Sequence, residues 1–239
     1  MTTAPTYRYD VVESTMDLAH RLAEGDAPSG TAVVASAQTG GRGSRGRGWH
    51  SPPGGLWLTL IVRPGRGGEL LSLRAGLAIA EAVERAAPGT AVRIKWPNDL
   101  MVDDRKLGGV LCEARWVSDA PAWVAVGVGL NVRNPIPPEI AATAVALRDV
   151  GYGNGPDELL DDVLPRLRAL EVNADRLTGV ELRSLDSRDW LRGRRIVSPA
   201  EGVAIGIAED GSLLVRRPDG VTDRVRAGTV ELADPAARP

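Results

Sequence analysis

Arginine and glycine dominate residues 40–49, which read Gly-Gly-Arg-Gly-Ser-Arg-Gly-Arg-Gly-Trp. Glycine lets backbone N–H groups approach an anion closely, and a guanidinium matches the oxygens of a phosphate or a carboxylate. No acidic residue stands among Arg42, Arg45 and Arg47 in the sequence, so we expect an anionic ligand to supply their counter-charge. Trp49 adds a flat face on which a base can stack. By itself the segment fits a solvated loop or an RGG-like nucleic-acid segment equally well.

A second cluster of polar residues follows within residues 95–109. Lys95-Trp96-Pro97-Asn98-Asp99 comes after a predicted strand, and Lys106-Leu107-Gly108-Gly109 begins the next one. The lysines are candidates for a phosphate or a carboxylate, and the oxygens of Asn98 and Asp99 are of the kind that Mg²⁺ prefers. A single lysine at a strand edge is usually a solvated charge. The recurrence of Lys, Asp and paired Gly favours a binding site instead.

A third segment, Gly127-Val128-Gly129-Leu130-Asn131, has glycines at alternate positions of a predicted strand. Such a strand has one bare face, against which either a ligand or neighbouring backbone must pack. Asn131 could reach a phosphate or a metal, or serve only in a turn. Nucleophilic machinery is scarce, because Cys112 lies in a predicted strand and neither His20 nor His50 has an evident partner. The chemistry indicated is the binding and neutralisation of anions.

Alternating strands and helices must position these segments. Hydrophobic patterns predict a helix that Ser14 or Thr15 caps and Gly25 ends, and another over 70–86 with Arg74, Glu81 and Arg85 on its polar face. They also predict helices over 157–176, where Pro165 should kink or split the helix, and over 180–190. The predicted strands are 8–12, 31–37, 56–62, 91–96, 100–102, 106–116 and 122–130.

The pattern changes near Gly193. From there to Leu232 the chain has short apolar runs with turns near Asp210-Gly211 and Asp219-Gly220, which predicts a small barrel of hairpins, followed by a Pro/Ala-rich tail after Asp234. We therefore predict an α+β chain with two domains. Residues 1–190 form a mixed β-sheet with flanking helices, and residues 191–239 form the small barrel.

Composition sets limits on partners and location. The hydrophobic fraction of 43% and the charged fraction of 25% are ordinary for a soluble globular protein. A net charge of −2 leaves no overall positive field to hold a polyanion. One cysteine cannot form an internal disulfide, and the polar N-terminal stretch and the lack of an apolar run near ~20 residues argue against secretion and a membrane span. We expect a cytoplasmic protein.

Taken together, the segments resemble the biotin–protein ligase family. The matching stretches are Glu-Ser-Thr at 13–15, Gln-Thr-Gly-Gly-Arg-Gly-Ser-Arg-Gly-Arg-Gly-Trp at 38–49, Lys-Trp-Pro-Asn-Asp-Leu at 95–100, Arg-Lys-Leu-Gly-Gly-Val-Leu at 105–111 and Gly-Val-Gly-Leu-Asn at 127–131. The resemblance implies a catalytic domain like those of class II aminoacyl-tRNA synthetases and biotin ligases, and an SH3-like β-barrel at the C-terminus. It covers nearly the whole chain.

The resemblance also implies roles for single residues. Biotin would be bound by Ser14, Thr15, Met16, Gln38, Arg42, Gly43, Ser44, Lys106 and Gly109. The nucleotide would be bound by Arg42, Arg45, Arg47, Trp49, Lys95, Asn98, Lys106 and Asn131. Lys106, Arg42 and Asp99 would be catalytic, and Asp99 and Asn131 would help to hold a metal.

Two positions depart from the family pattern. Met16 stands where Asn is usual, and Ser44 stands at the fourth position of a loop that commonly reads G-R-G-R-x-G-R. Loss of that arginine could weaken retention of the intermediate, or Arg45 could substitute for it.

The resemblance implies a monofunctional ligase without a DNA-binding domain, since the first strand begins near Arg8. Its substrates would be biotin and ATP with Mg²⁺, and its partner the biotin carboxyl carrier domain of biotin-dependent carboxylases, with a homodimer left open. The alternatives are a lipoate or octanoate ligase of the same fold and a noncatalytic nucleic-acid binder. Gln38 and the hydroxyls at 14–15 favour biotin over lipoate.

Overall fold

The largest element of the fold is a mixed seven-stranded sheet. The computed structural model describes residues 4–65 and 68–234. The strands lie in the order β1-β2-β3-β7-β6-β5-β4; β1 and β2 are parallel, and every other neighbouring pair is antiparallel. Their bounds are β1 Thr6–Val12, β2 Ala32–Gln38, β3 Leu56–Val62, β4 Val92–Lys95, β5 Asp99–Val102, β6 Arg105–Val117 and β7 Ala120–Leu130. The predicted strands are thus confirmed, with shifts of a few residues at their ends.

Within the described residues, four α-helices accompany the sheet, and three short 3₁₀-helices lie in the connections. The α-helices are α1 Thr15–Glu24, α2 Leu71–Ala86, α3 Pro156–Arg168 and α4 Gly179–Arg188; the 3₁₀-helices are Ser44–Gly46, Pro138–Ile140 and Leu147–Val150. α1 begins as predicted, because the Ser14 hydroxyl caps it by accepting a hydrogen bond from the Met16 N–H, and Gly25 ends it. Among the described residues no helix is both long enough and apolar enough to span a bilayer.

The two faces of the sheet differ in what covers them. On β3, Leu58 and Leu60 belong to the large core cluster with α2 and α3, whereas Ile61 belongs to a small cluster with α1. Side chains alternate along a strand, so Thr59 and Gly127, like Ile61, lie on the α1 face. α1 has only ten residues and covers only part of that face. The remainder is open to a ligand.

Arg74 contradicts the predicted polar face of α2. Its side chain is only 3% exposed, and its guanidinium donates to Glu181 Oε1 at 2.7 Å. It also donates to the backbone carbonyls of Glu171, Ala174 and Arg176. Periodicity within α2 could not reveal these partners, because they lie about a hundred residues further along the chain.

The predicted helix over 157–176 is also shorter than expected. α3 ends at Arg168, and Pro165 lies inside it, three residues before its end. Proline has no N–H to donate to the preceding turn, which weakens the last turn. After Arg168 the chain follows an irregular path over residues 169–176. The carbonyls of Glu171, Ala174 and Arg176 in this segment accept hydrogen bonds from Arg74 and not from a continuing helix.

A small antiparallel sheet forms the C-terminal part. Its strands are β8 Arg195–Ser198, β9 Gly202–Ile207, β10 Leu213–Arg216, β11 Thr222–Val225 and β12 Glu231–Leu232, in the order β11-β10-β9-β8-β12. The two predicted turns are present, with Gly211 at φ 79° and Gly220 at φ 85°. In the part of the chain described, the outer strands β11 and β12 do not pair, so the barrel is not closed. The predicted tail after Asp234 lies outside the described residues.

Candidate active site

Two cavities adjoin each other on the α1 face of the large sheet. The smaller has a volume of about 190 Å³ and the larger about 680 Å³. Gly48, Trp49, Asp99 and Lys106 line both of them. A ligand in one cavity therefore meets a ligand in the other at this shared wall.

A chain of hydrogen bonds fixes the polar end of the smaller cavity. Gln38 Oε1 accepts from the Thr15 N–H at 2.9 Å and from the Thr15 hydroxyl at 3.1 Å. Because that hydroxyl proton is used, the Thr59 hydroxyl must be the donor in its 2.8 Å contact with Thr15 Oγ1. Gln38 Nε2 then donates to Ser51 Oγ at 2.9 Å, and the Ser51 hydroxyl donates to the Trp49 carbonyl. The orientation of the Gln38 amide is thus determined.

Thr59 and Ser51 were missed from the sequence. Thr59 is fully buried in a strand that reads Leu-Trp-Leu-Thr-Leu-Ile-Val, and it lines the smaller cavity. One polar residue in an otherwise apolar strand is a usable signal, because a buried hydroxyl requires a partner. Ser51 has no comparable local signal. It reaches Gln38 because an isolated antiparallel β-bridge pairs residues 38 and 51.

The remaining predicted biotin residues all line the smaller cavity. Around its rim and walls lie Ser14, Met16, Arg42, Gly43, Ser44, Lys106 and Gly109. Gly127 is bare because the Met16 side chain occupies its face: an added Cβ would lie 2.6 Å from Met16 Cε. The bare strand face was expected to meet a ligand or neighbouring backbone. At Gly127 it meets a side chain instead, and that side chain itself borders the cavity.

The arginine–glycine segment folds as a small hairpin, which we call the 41–49 hairpin. The Gly43 N–H donates to the Arg47 carbonyl at 2.7 Å, and the Trp49 N–H donates to the Gly41 carbonyl at 2.8 Å. Gly41 cannot be replaced without a rearrangement, since an added Cβ would lie 2.4 Å from Ser51 Oγ and 2.5 Å from the Trp49 carbonyl oxygen. Within the described residues the segment is therefore an ordered hairpin, which argues against a fully solvated loop.

The three arginines of the hairpin differ in surroundings. Arg42 forms an ion pair with Asp17 at 2.6 Å and lies 3.7 Å from Glu113 Oε2, so the expectation that only a ligand would balance the arginines is wrong for Arg42. Arg47 lines the smaller cavity and donates to the carbonyl and hydroxyl of Ser44. Arg45, at φ 62°, is exposed and lines neither of the two cavities.

Trp49 forms part of the wall between the cavities. Its indole packs on Gly129, where an added Cβ would lie 2.6 Å from Trp49 Nε1. The Lys106 ammonium lies 5.1 Å from the centre of the Trp49 ring, a cation–π distance. Trp49 Nε1 is buried and has no hydrogen-bond partner among the described residues.

Adjacent strands bring the lysines and Asp99 together. Lys95 faces Asp99 across β4 and β5, and Asp99 faces Gly109 across β5 and β6. Lys106 Nζ lies 2.5 Å from Asp99 Oδ1. Lys95 lines the larger cavity with its ammonium 5.3 Å from the Trp190 ring centre, and burial lowers the pKa of Lys95. These two are the only lysines of the chain.

The two asparagines are held by hydrogen bonds and lie in different cavities. Asn98 lines the smaller cavity, and its Nδ2 donates to the Val110 carbonyl at 2.7 Å. Asn131 lines the larger cavity, and its Oδ1 accepts from Asn134 Nδ2 at 3.1 Å. Asn98 thus lines the smaller cavity, as Arg42 and Arg47 do, whereas Lys95 and Asn131 line the larger one.

Candidate nucleophiles are poor in this site. Burial raises the pKa of the Cys112 thiol to about 12, so it is protonated at neutral pH. His20 does have partners, contrary to the sequence-based expectation: the Trp123 indole N–H donates to its Nδ1 at 3.0 Å, and Glu113 Oε2 lies 3.2 Å from its Nε2. His50 lines the larger cavity. The arrangement suits charge neutralisation between two ligands.

The C-terminal part completes the larger cavity. Trp190 lies just before β8, and Glu231 and Leu232 form β12; all three line the cavity opposite Lys106 and Asn131. The Arg194 guanidinium stacks on the Trp190 ring at 3.9 Å. None of these residues was predicted, because the pattern within 191–239 indicates hairpins but not which strand borders a distant cavity.

Comparisons with known proteins agree with this geometry. Residues 9–131 match the biotin/lipoate A/B protein ligase family, and residues 191–233 match the biotin protein ligase C terminal domain. The chain is 33% identical to the bifunctional ligase/repressor BirA of Bacillus subtilis over 94% of this chain and 73% of that protein. It is 32% identical to the biotin–[acetyl-CoA-carboxylase] ligase of Paracoccus denitrificans, over 87% of this chain and 92% of that one.

A solved structure is similar over nearly the whole chain. It is the biotin protein ligase from Aquifex aeolicus in complex with biotin and ATP, with a TM-score of 0.78 and 29% identity. The match covers 95% of this chain and 97% of that chain.

Proposed function

Since this chain belongs to the biotin/lipoate A/B protein ligase family, we infer that it is an ATP-dependent biotin protein ligase. It activates biotin to biotinyl-5'-AMP and transfers the biotin to a lysine of an acceptor protein. We propose that the acceptor is the biotin carboxyl carrier domain of a biotin-dependent carboxylase. The name of the Paracoccus denitrificans relative supports this choice.

One observation carries the assignment of the site: two cavities share Lys106, Trp49 and Asp99. We propose that biotin occupies the smaller cavity and ATP the larger. The carboxylate of biotin and the α-phosphate of ATP then meet at Lys106. Sites of this kind hold two reactants in contact and so convert a bimolecular reaction into an effectively unimolecular one.

Adenylation requires two anions to approach each other. A biotin carboxylate oxygen attacks the α-phosphorus, the bond from that phosphorus to the bridging oxygen breaks, and pyrophosphate leaves. Lys106 is the proposed main stabiliser of the developing charge, because its ammonium borders both cavities. Arg42 and Asp99 complete the proposed catalytic set. No protein nucleophile is needed.

The smaller cavity offers biotin a fixed set of polar groups. The proposed contacts to the ureido ring are Ser14, Thr15 and Gln38, whose hydrogen bonds are already directed by Thr59 and Ser51. Met16 would contact the ring system, Gly109 would offer backbone, and Gly43 and Ser44 would cover the ligand. Biotin, which has both donors and an acceptor in its ureido group, suits this set better than lipoate does.

The larger cavity offers the nucleotide both charge and apolar surface. Lys95, Lys106 and Asn131 are proposed to face the phosphates, and Trp49 to pack near the base. Arg47 and Asn98 border the smaller cavity and would reach the phosphates only at the shared wall. Arg45 stays a candidate for the same role, although it lines neither cavity.

The oxygen donors of the site suit a Mg²⁺ that arrives with ATP. No group of three or more His, Cys, Asp or Glu side chains in residues 4–65 and 68–234 could hold a metal alone. Mg²⁺ on a nucleotide commonly takes one or two carboxylates beside phosphate oxygens. The Asp99 carboxylate lines the larger cavity, and the amide oxygen of Asn131 lies on the same cavity as a second, neutral oxygen donor. Bound there, the ion would neutralise phosphate charge.

Transfer requires the acceptor lysine to lose a proton. Its amine attacks the acyl carbon of biotinyl-AMP, an amide bond forms and AMP leaves. Asp99 is the proposed proton acceptor, because its carboxylate lies at the wall between the cavities.

We also propose that residues 191–239 form an SH3-like unit; five short antiparallel strands and the match to the C-terminal domain support this.

The test is incubation of the protein with biotin and Mg·ATP, followed by mass-spectrometric detection of biotinyl-AMP. We expect the adenylate, and then a mass increase of added carrier domain. Lipoate in equal concentration should compete poorly. Preferential formation of lipoyl-AMP would assign the protein to the lipoate branch, and the absence of any adenylate would refute the proposal.

A further inference from the structure

The 41–49 hairpin has one ionic connection to the rest of the described chain, and it is made by Arg42. Arg45 and Arg47 form no ion pair among the described residues, and Arg47 donates its hydrogen bonds inside the hairpin. Trp49 contributes packing at the other strand of the hairpin. The position of residues 42–44 over the smaller cavity therefore depends strongly on what holds Arg42.

Two carboxylates on different elements hold the Arg42 guanidinium. Asp17 lies on α1, next to the cavity residue Met16, and its Oδ1 accepts from Arg42 at 2.6 Å. Glu113 lies on β6, two residues beyond the cavity residue Leu111, and its Oε2 is 3.7 Å from the same nitrogen. Arg42 thus joins the hairpin to two of the elements that line the cavity, α1 and β6.

His20 holds Glu113 in one defined way. Nδ1 of His20 accepts from the Trp123 indole, which can only donate, so Nδ1 carries no proton. A neutral ring must then carry its proton on Nε2, and that N–H donates to Glu113 Oε2 at 3.2 Å. The His20 side chain is only 6% exposed, so its Nε2–H is largely shielded from water, while the Glu113 side chain is 25% exposed.

We propose that Asp17 and Glu113 are positioning residues that hold Arg42 as a latch, which closes residues 42–44 over the smaller cavity, and that His20 orients Glu113 for this purpose. The inference rests on the proposed function, since the latch would retain biotin and biotinyl-AMP. Arg42 would then act in the proposed catalytic set from a position that these two carboxylates fix.

The first test removes each carboxylate charge with little change of shape, in Asp17→Asn and Glu113→Gln. Loss of a charge-assisted hydrogen bond weakens the attachment of the hairpin over the cavity. Each variant should therefore release biotinyl-AMP about tenfold faster. The Kd for biotin should rise as well, while KM for ATP should stay unchanged. Glu24→Gln is the matched control, because it removes an exposed carboxylate from the same helix away from the hairpin.

The second test asks whether the carboxylates act through Arg42. In an Arg42→Gln background, Asp17→Asn should add little to the release rate, because the partner is already missing. Additive effects of the two substitutions would show that Asp17 does not act through Arg42 and would overturn the latch. A merely structural role would lower the thermal midpoint without this coupling.

The third test concerns His20. Gln at this position can still accept from Trp123 and donate to Glu113, whereas Leu can do neither. His20→Gln should therefore retain biotinyl-AMP like the wild type, and His20→Leu should release it faster. Equal retention by both variants, at thermal midpoints near that of the wild type, would refute the role of His20.

These outcomes separate the latch from the proposed function. If the wild type forms no biotinyl-AMP, the proposed function fails. If it forms the adenylate but Asp17→Asn and Glu113→Gln release it at the wild-type rate, only the latch fails. Direct calorimetry of biotin binding to the protein gives a second readout that does not depend on catalysis.

Discussion

Lys106 lines both cavities with one side chain. Its Nζ lies 2.5 Å from Asp99 Oδ1, and it lies 5.1 Å from the centre of the Trp49 ring. Lys95 lines only the larger cavity and packs near Trp190, and burial lowers its pKa. The two lysines therefore have different surroundings, and the one at the shared wall is Lys106.

Replacement of Lys106 by Ala should slow adenylation on the order of 10²-fold, because one preorganised charge-stabilising group is lost. The measurement is the rate of biotinyl-AMP formation at saturating biotin and ATP. Arg105→Ala is the control, since Arg105 is the neighbouring cation but lines neither cavity. Adenylation by the Lys106 variant at a rate close to that of the wild type would contradict its role.

His20 should make stability depend on pH. Burial lowers the pKa of His20 and outweighs the opposing hydrogen bond to Glu113. The unfolded chain therefore binds a proton more readily, so stability present above pH ~6.5 is lost as the pH falls toward the lower folded pKa. Thermal midpoints at pH 7.5 and 5.5 should differ less in His20→Gln than in the wild type. An equal difference in both proteins would show that His20 does not contribute.

Among the elements, the large sheet was well predicted because each strand carries its own signal. β3 is an apolar run interrupted only by Thr59, α1 has a serine cap and a terminal glycine, and the Asp-Gly turns mark the hairpins near 210 and 219. What could not be predicted is contact between elements distant in sequence. Arg74 reads as a solvent-facing residue of α2, yet its partners come from residues 171–181.

Arg74→Met should destabilise the protein by about 3–5 kcal/mol, because it leaves the carboxylate of Glu181 and three backbone carbonyls without their donor. The free energy of unfolding in denaturant measures this loss. Arg85→Met makes the same substitution on the same helix at an exposed position and should cost little. A small effect of the Arg74 variant would mean that water satisfies those carbonyls.

For the candidate site, the residues that carry motifs could be found from the sequence, and the residues that hold them could not. Lys106, Gln38 and Gly109 stand in recognisable segments, and all three line the smaller cavity. Asp17 balances Arg42 from 25 residues away, with no pattern to indicate it. Thr59 gave only the weak signal of one hydroxyl in an apolar strand.

At the scale of the whole molecule, the larger cavity is formed jointly by the large sheet and by residues near and within the small C-terminal sheet. Trp190 and Leu232 reach it from the C-terminal part, while Lys95 and Asn131 reach it from the large sheet. The small sheet therefore contributes to the proposed nucleotide site as well as to stability.

Leu232→Ala should raise KM for ATP about fivefold, because a leucine side chain at the cavity wall is worth roughly 1 kcal/mol of contact. The Kd for biotin should not change. Val221→Ala is the control within the same sheet region, since Val221 is 52% exposed and lines neither cavity. If KM for ATP is unaffected in the Leu232 variant, the nucleotide does not touch β12.

The lysine content of the chain has a chemical consequence. The chain has only two lysines, and both border the cavities. All the other residues of the Lys and Arg total are arginines. A mixed acyl-phosphate anhydride that escapes into solution acylates primary amines, whereas a guanidinium at neutral pH stays protonated and does not react. Lysine side chains that could take up the activated product are therefore found only at the two cavities, and elsewhere on this enzyme the side chains of the Lys and Arg class are poor targets for it.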